Sequence, residues 1–152
     1  MVILGLAVGR PAFTAAQQIL DSVIVRFGSE IVTQLDVRQA RMLRLVAAPN
    51  GSDEAYVEAL VNRRLVLAEI RRSPPPEPSP DAMAAERRAW EGRVGAGAGT
   101  ADLLARAGMT EAALLGWLRD DVRMRTYLAE RFGERSADLA SWIGVLRQRA
   151  GQ

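Results

Sequence analysis

The chain has 152 residues, which is room for one ordinary domain, and it contains neither cysteine nor histidine. Those two absences exclude disulfides, thiol nucleophiles, the usual zinc sites and every catalytic scheme that uses an imidazole. Hydrophobic residues make up 49% of the chain and charged residues 25%, a balance typical of a folded globular protein. The composition therefore favours a binding protein over an enzyme, and we expect no cofactor and no metal.

Arginine supplies all the side-chain positive charge. There are 20 basic residues against 18 acidic ones, which gives a formal net charge of +2. Acids and arginines are interspersed, as in residues 119–123, and do not gather into one basic stripe. Because a nucleic-acid-binding protein usually segregates its positive charge into a patch, the pattern disfavours nucleic acid as a partner.

The N-terminal segment resembles a secretory signal peptide. Residues 1–8 are apolar but too few to span a bilayer, so we expect no stable membrane insertion. Residues 14–16 are small, as a signal peptidase requires before its cleavage site, so cleavage is expected after Ala16. Residues 1–16 are then the signal and residues 17–152 the mature domain of a periplasmic or otherwise exported protein. Since no basic residue precedes the apolar run, a frayed, partly buried N-terminal arm is the alternative.

Residues 21–33 predict a β-hairpin followed directly by a helix. Val23, Val25 and Phe27 alternate with their neighbours, and Gly28–Ser29 supplies a two-residue turn. Thr33 and Asp36 then have the spacing of a capping box. The first helix is expected to start there and to end at the break formed by Pro49, Asn50 and Gly51.

The second predicted helix is capped by Ser52 and runs to about Arg72. It is apolar on most of its surface, which places it at the centre of the core. The proline-rich spacer 74–80 follows. It ends in a helix start, with Ser79 as the cap and Pro80 at the first helical position.

The rest of the chain predicts four helices. They comprise a helix from Pro80 to about Val94, a short one over 101–107 after the glycine-rich linker 95–99, a long one from Glu111 to about Arg131 capped by Thr110, and a last one capped by Ser136. The predicted fold is mostly α: an N-terminal β-hairpin packed on a bundle of about six helices. Asp120 and Asp121 are expected to be solvated and not catalytic.

Several segments, in their order, resemble the N-terminal domain of SurA-type periplasmic chaperones (SurA, PpiD and PrsA-like proteins). Residues 25–37 are similar to its opening, with a valine-rich strand, a tight turn and an aspartate that starts the first helix. Residues 59–67 are similar to the second helix of the family. The proline spacer and the segments 108–114 and 127–132 match in kind and order, so the resemblance covers roughly residues 20–132.

The resemblance implies a trigger-factor-like peptide-binding domain. It also implies an ATP-independent exported chaperone, a holdase, that binds unfolded or partly folded exported proteins and is compatible with a homodimer. Most members carry a parvulin-type prolyl isomerase module before a closing helix. Here the chain passes from Phe132 directly to its last helix, and there is no histidine for a parvulin site. The resemblance therefore implies the chaperone without the isomerase activity.

A holdase needs a broad apolar surface with a charged rim. Methionine and tryptophan suit such a surface, because methionine is adaptable and tryptophan offers a large area. The candidate client-binding residues are Met42, Trp90, Met109, Trp117 and Met124. For each of these residues, the alternative interpretation is that the side chain is buried in the core. Trp117 lies off the apolar stripe of its helix, which favours exposure, whereas Trp142 is expected to dock the last helix on the body.

Three other functions stand beside the holdase. The same fold would also serve as a structural or assembly subunit that holds one specific protein partner through a single well-packed patch. A helical nucleic-acid-binding protein would require strongly salt-dependent binding. An enzyme comes last, because the sequence offers no set of residues with the chemistry of a catalytic site.

Overall fold

A computed structural model describes residues 22–95, 99–133 and 135–151, so the predicted signal segment 1–16 lies outside the described residues. Within them, a two-stranded antiparallel hairpin precedes six helices. The elements are β1 Val23–Phe27, β2 Glu30–Thr33, α1 Gln34–Met42, α2 Asp53–Ile70, α3 Pro80–Val94, α4 Thr100–Ala107, α5 Glu111–Phe132 and α6 Ser136–Arg149. The mostly helical fold with an N-terminal hairpin is therefore confirmed.

The hairpin turns at Gly28–Ser29, as predicted, and the glycine has a φ of 52°. Pairing with β2 is regular from Phe27 back to Val25, and the register then shifts between Val25 and Val23. A bulge of this kind bends a strand and re-aims its side chains. Phe27 is buried as the alternation predicts, but Val23 and Ile24 are 48% and 43% exposed.

The predicted helix starts are confirmed at four polar caps. Thr33 and Asp36 form the capping box: the Asp36 amide donates to Thr33 Oγ1 at 3.2 Å, and the Thr33 amide donates to Asp36 Oδ2 at 2.8 Å. The side chains of Ser52, Ser79 and Thr110 each accept from the backbone amide three residues on. These bonds satisfy amides that a helix start leaves free.

Helix α1 ends at Met42, well before the predicted stop at Pro49–Gly51. The Leu43 carbonyl accepts a hydrogen bond of 2.8 Å from the Trp90 indole nitrogen. Arg44 then takes a left-handed conformation, with a φ of 48°. The backbone closes the helix end locally, because the Leu45 amide donates back to the Ala40 carbonyl at 3.0 Å, while Trp90 satisfies the Leu43 carbonyl.

Helix α2 is central, as predicted, and packs against α1, α5, α6 and β2. Its buried apolar residues are Leu60, Val61, Leu65, Val66 and Ile70. At the other end of the chain, α6 begins at Ser136, with Arg135 at the N-cap position, so the prediction that Ser136 is the cap is wrong. Trp142 docks α6 as predicted, with its ring 5.2 Å from that of Phe132.

Among the described residues, no helix combines the length and the apolar character needed to cross a membrane.

Candidate functional site

Exposed large apolar residues are few in the described chain, and two of them line one hollow. The large hydrophobic side chains that are exposed there are Val23, Ile24, Met42, Leu115 and Val145. Val23 and Ile24 lie on β1, and Met42 is the last residue of α1. Ile24 and Met42 line the same hollow, so the end of α1 and the bulged part of β1 form one apolar region.

The first hollow, here called the α1 hollow, has a volume of about 640 Å³. Its lining residues are Ile24, Gln34, Val37, Arg38, Arg41, Met42 and Asp53. The buried Val37 forms part of its floor, while Arg38 and Arg41 are exposed. The early end of α1 and the bulge at Ile24 therefore create this hollow together.

A second hollow, the α2 hollow, has a volume of about 590 Å³. Its lining residues are Ile24, Val25, Gln34, Asp53, Glu54, Val57, Glu58, Val61 and Arg147. The two hollows share Ile24, Gln34 and Asp53, and they are otherwise lined by different residues. We call the two hollows together the Ile24 surface, since the exposed isoleucine lies where they meet.

Charged groups surround the apolar floor of the Ile24 surface. Arg41 forms an ion pair with Asp53 and also lies over the ring of Tyr56, 5.0 Å from its centroid. Arg147 forms an ion pair with Glu58 at 3.1 Å. Such a rim keeps an exposed apolar patch soluble and restricts what can approach it.

Two charged residues on this surface are without a partner in the described part of the chain. Arg38 in the α1 hollow and Glu54 in the α2 hollow are both exposed and form no ion pair there. The α1 hollow therefore has an excess of positive charge. The α2 hollow has an excess of negative charge, because Asp53, Glu54 and Glu58 outnumber Arg147.

The predicted client-binding residues do not form one surface. Met42 lies in the α1 hollow. Trp90 is completely buried, with its indole nitrogen bonded to the Leu43 carbonyl, so its ring faces no solvent. Met109 is half-buried and packs against the core. Only Trp117 and Met124 lie near a common residue, Arg63, on the other side of α2.

Trp117 is half-buried because Arg63 covers it. The guanidinium carbon of Arg63 lies 3.7 Å from the centroid of the indole ring, a cation–π contact. Arg63 Nη2 also donates to the Trp117 carbonyl at 3.1 Å. Trp117 Nε1 is buried and has no hydrogen-bond partner in the described chain. The ring of Trp117 is thus part of the packing contact between α5 and α2.

Asp121 corrects the expectation that both aspartates of α5 are solvated. It is largely buried and accepts from Arg63 Nη2 at 3.0 Å. Burial raises the pKa of the Asp121 carboxyl above its ordinary value, although Arg63 acts in the opposite direction. Burial likewise lowers the pKa of the Arg63 guanidinium, which Asp121 partly offsets. Burial thus opposes the charged form of both side chains, and each partner stabilises the charge of the other.

Met124 lines a smaller hollow of about 270 Å³ between α2, α5 and α6. Asn62, Arg63 and Asp121 also line it, but Arg63 and Asp121 are bonded to each other and Asn62 accepts from Arg147 at 2.7 Å. These polar groups are therefore already engaged within the protein. The other lining residues are apolar, but the hollow has less than half the volume of either hollow of the Ile24 surface and so has less room for a long apolar segment.

Of the residues that build the Ile24 surface, only Met42 was predicted from the sequence. Ile24 stands between two valines of the predicted core face, so alternation alone placed it outside the core. An isoleucine at a strand position that faces away from the core was the feature of the sequence that indicated an exposed apolar site. Among the described residues, no group of His, Cys, Asp or Glu is arranged to hold a metal ion.

Comparison of the chain with known protein families, with curated proteins and with solved structures finds no match in any of the three.

Proposed function

We propose that the chain is an ATP-independent exported holdase of the SurA type, without isomerase activity, and that it holds unfolded segments on the Ile24 surface. The proposal extends the resemblance of residues 25–37 and 59–67 to the SurA-type domain. One structural observation supports it most strongly. Of the exposed large apolar residues in the described chain, Ile24 and Met42 line adjoining hollows with a charged rim.

The hollows suit apolar side chains of an extended client. Burying one such side chain completely contributes about 1.5–3 kcal/mol. Two or three anchors therefore give several kcal/mol, from which the cost of ordering the client must be subtracted. Ile24, Val37 and Val57 offer contact without a fixed pattern of hydrogen-bond donors. Binding is then weak and tolerant of sequence, as a holdase requires.

The test is light scattering of a chemically unfolded, aggregation-prone protein that is diluted with and without the full chain. Stoichiometric amounts are used, and ATP is left out. We expect suppressed scattering that persists in moderate salt, because apolar contact is not screened as charge is. We expect Ile24→Asp and Met42→Glu to lose most of this effect.

Val145→Glu is the matched control. Val145 is 42% exposed on α6, close to the 43% of Ile24, and it lines neither hollow of the Ile24 surface. The control should suppress scattering as the unaltered chain does. Failure of the folded chain to suppress scattering would contradict the holdase and favour a subunit that binds one specific partner.

A further inference from the structure

We propose that the Ile24 surface also pairs with the same surface of a second copy of the chain, about a two-fold axis that passes near Ile24. The resting protein is then a dimer whose client surface is covered. The dimer itself does not depend on the proposed function. The expectation that clients and the second copy compete for the Ile24 surface does rest on the proposed function.

The distribution of charge on the Ile24 surface argues for a second copy as the occupant. Positive charge is in excess in the α1 hollow, where Arg38 is unpaired among the described residues. Negative charge is in excess in the α2 hollow, where Glu54 is likewise unpaired. A partner that covers both hollows must therefore present the opposite charges in the opposite order.

A two-fold axis that passes near Ile24 and runs across the line joining the two hollows meets that requirement. In an isologous dimer, a residue on one side of the axis contacts the residue on the other side in the partner copy. With the axis near Ile24, each α1 hollow faces the α2 hollow of the other copy. Arg38 of each copy is then placed against Glu54 of the other, which gives two equivalent ion pairs.

Apolar contact completes the interface between the two charge pairs. Ile24 lies where the hollows meet, and Met42 is exposed in the α1 hollow. Near the axis Ile24 meets its own copy, and Met42 faces the apolar part of the opposite α2 hollow. An apolar centre with charged groups around it is the usual anatomy of a specific protein interface. The same centre is what a client would compete for.

Charge reversal gives a sharp test by sedimentation velocity of the full chain over a range of concentrations. We expect the unaltered chain to dimerise. Arg38→Glu and Glu54→Arg should each weaken the dimer at least about tenfold, since each places like charges opposite one another. Both residues are exposed, so the variants should stay folded, which circular dichroism checks.

Mixing the two single variants should restore the dimer. At one contact the introduced glutamate of the first chain faces the introduced arginine of the second. At the other contact the unaltered Glu54 of the first chain faces the unaltered Arg38 of the second. The control pair is Arg88→Glu and Asp102→Arg, at exposed residues of α3 and α4 that form no ion pair among the described residues. The control variants should leave dimerisation unchanged, both alone and mixed.

Three results would overturn the proposal. One is a chain that stays monomeric at about 1 mM, where association is worth only about 4 kcal/mol. Another is a dimer that the charge reversals at positions 38 and 54 leave intact. A third is a dimer that the single variants weaken but their mixture does not restore, because a two-fold arrangement requires the restoration.

The covering of the client surface is tested by adding reduced, carboxymethylated α-lactalbumin, which stays unfolded. We expect the dimer fraction to fall as the probe binds. A dimer that binds the probe without dissociating would contradict the covering. Since sedimentation of the chain alone contains no client, the dimer and the holdase can fail separately. A monomer that suppresses scattering refutes the dimer, and a dimer that does not suppress it refutes the holdase.

Discussion

Arg63 and Trp117 are stacked, with the guanidinium carbon 3.7 Å from the centroid of the indole ring. The same guanidinium donates to Asp121 at 3.0 Å and to the Trp117 carbonyl at 3.1 Å. These contacts join α2 to α5 through a charge that lies almost entirely in the interior. A tryptophan predicted to face clients is therefore part of the junction between two helices.

Arg63→Met tests this junction. The variant keeps the volume but leaves the Asp121 carboxylate without its buried counter-charge, so we expect a loss of about 3 kcal/mol in the free energy of unfolding near neutral pH. Denaturant titration measures the loss. Arg71→Met is the control: it removes the pair of Arg71 with Glu30, in which the arginine is 61% exposed, and should cost less than about 1 kcal/mol.

The loss in Arg63→Met should depend on pH. Burial raises the pKa of Asp121 in the folded protein, and the variant removes the guanidinium that lowers it. A carboxyl with a higher pKa in the folded state than in the unfolded state binds protons more strongly when folded, so stability falls as pH rises between the two pKa values. The cost should therefore grow as pH rises from the folded-state pKa of Asp121 in the unaltered chain, which already lies above the ordinary value of about 4, to its higher pKa in the variant. A cost that is constant over that range would be inconsistent with a buried Asp121.

Replacing both charges should cost less than replacing one. In the double variant Arg63→Met with Asp121→Leu, the buried carboxylate is removed together with its partner. Exchanging a whole buried ion pair for apolar side chains is often neutral or stabilising. We expect the double variant to recover most of the stability that Arg63→Met loses, and to lose the pH dependence that Asp121 contributes.

Trp90→Phe tests the hydrogen bond that the indole nitrogen donates to the Leu43 carbonyl at the end of α1. The substitution keeps an aromatic ring in the core but removes the donor to the Leu43 carbonyl, which lies at 2.8 Å and is buried. An unsatisfied buried acceptor costs about 1–3 kcal/mol. Denaturant titration should show a loss in that range. A variant as stable as the unaltered chain would mean that the bond contributes little to the stability of the fold.

Substitutions of Gly28 test the backbone conformation of the hairpin turn. Its φ of 52° lies in the left-handed region, and a Cβ built there meets no atom within 4 Å. The cost of Gly28→Ala is therefore backbone strain alone, about 1–2 kcal/mol. Gly28→Asn should cost less, because asparagine tolerates this conformation. Equal losses for alanine and asparagine would point to a steric cause in place of strain.

The helix starts could be predicted from the sequence because each depends on neighbouring residues. The capping box at Thr33 and Asp36 closes over three positions, as do the caps at Ser52, Ser79 and Thr110. The end of α1 could not, because the left-handed residue there is Arg44 in place of the usual glycine or asparagine, and the Leu43 carbonyl beside it is bonded by Trp90, 47 positions away.

The candidate site was predictable only in part, for the same reason. Met42 was identified by its residue type and does lie on the Ile24 surface. Trp90 and Trp117 were chosen by the same criterion, but one is buried under α1 and the other is covered by Arg63. Exposure of a side chain depends on which helix packs over it, and periodicity within one helix does not contain that information.

The most direct test of the client surface is photo-crosslinking from a photoreactive amino acid placed at position 42 or, as the control, at position 145. Unfolded, carboxymethylated α-lactalbumin serves as the client, and mass spectrometry identifies the products. We predict adducts with the client from position 42 and few or none from position 145, both of which are exposed in the structure. Equal yields from the two positions, or adducts from position 145 alone, would contradict the assignment of the Ile24 surface as the place where clients bind.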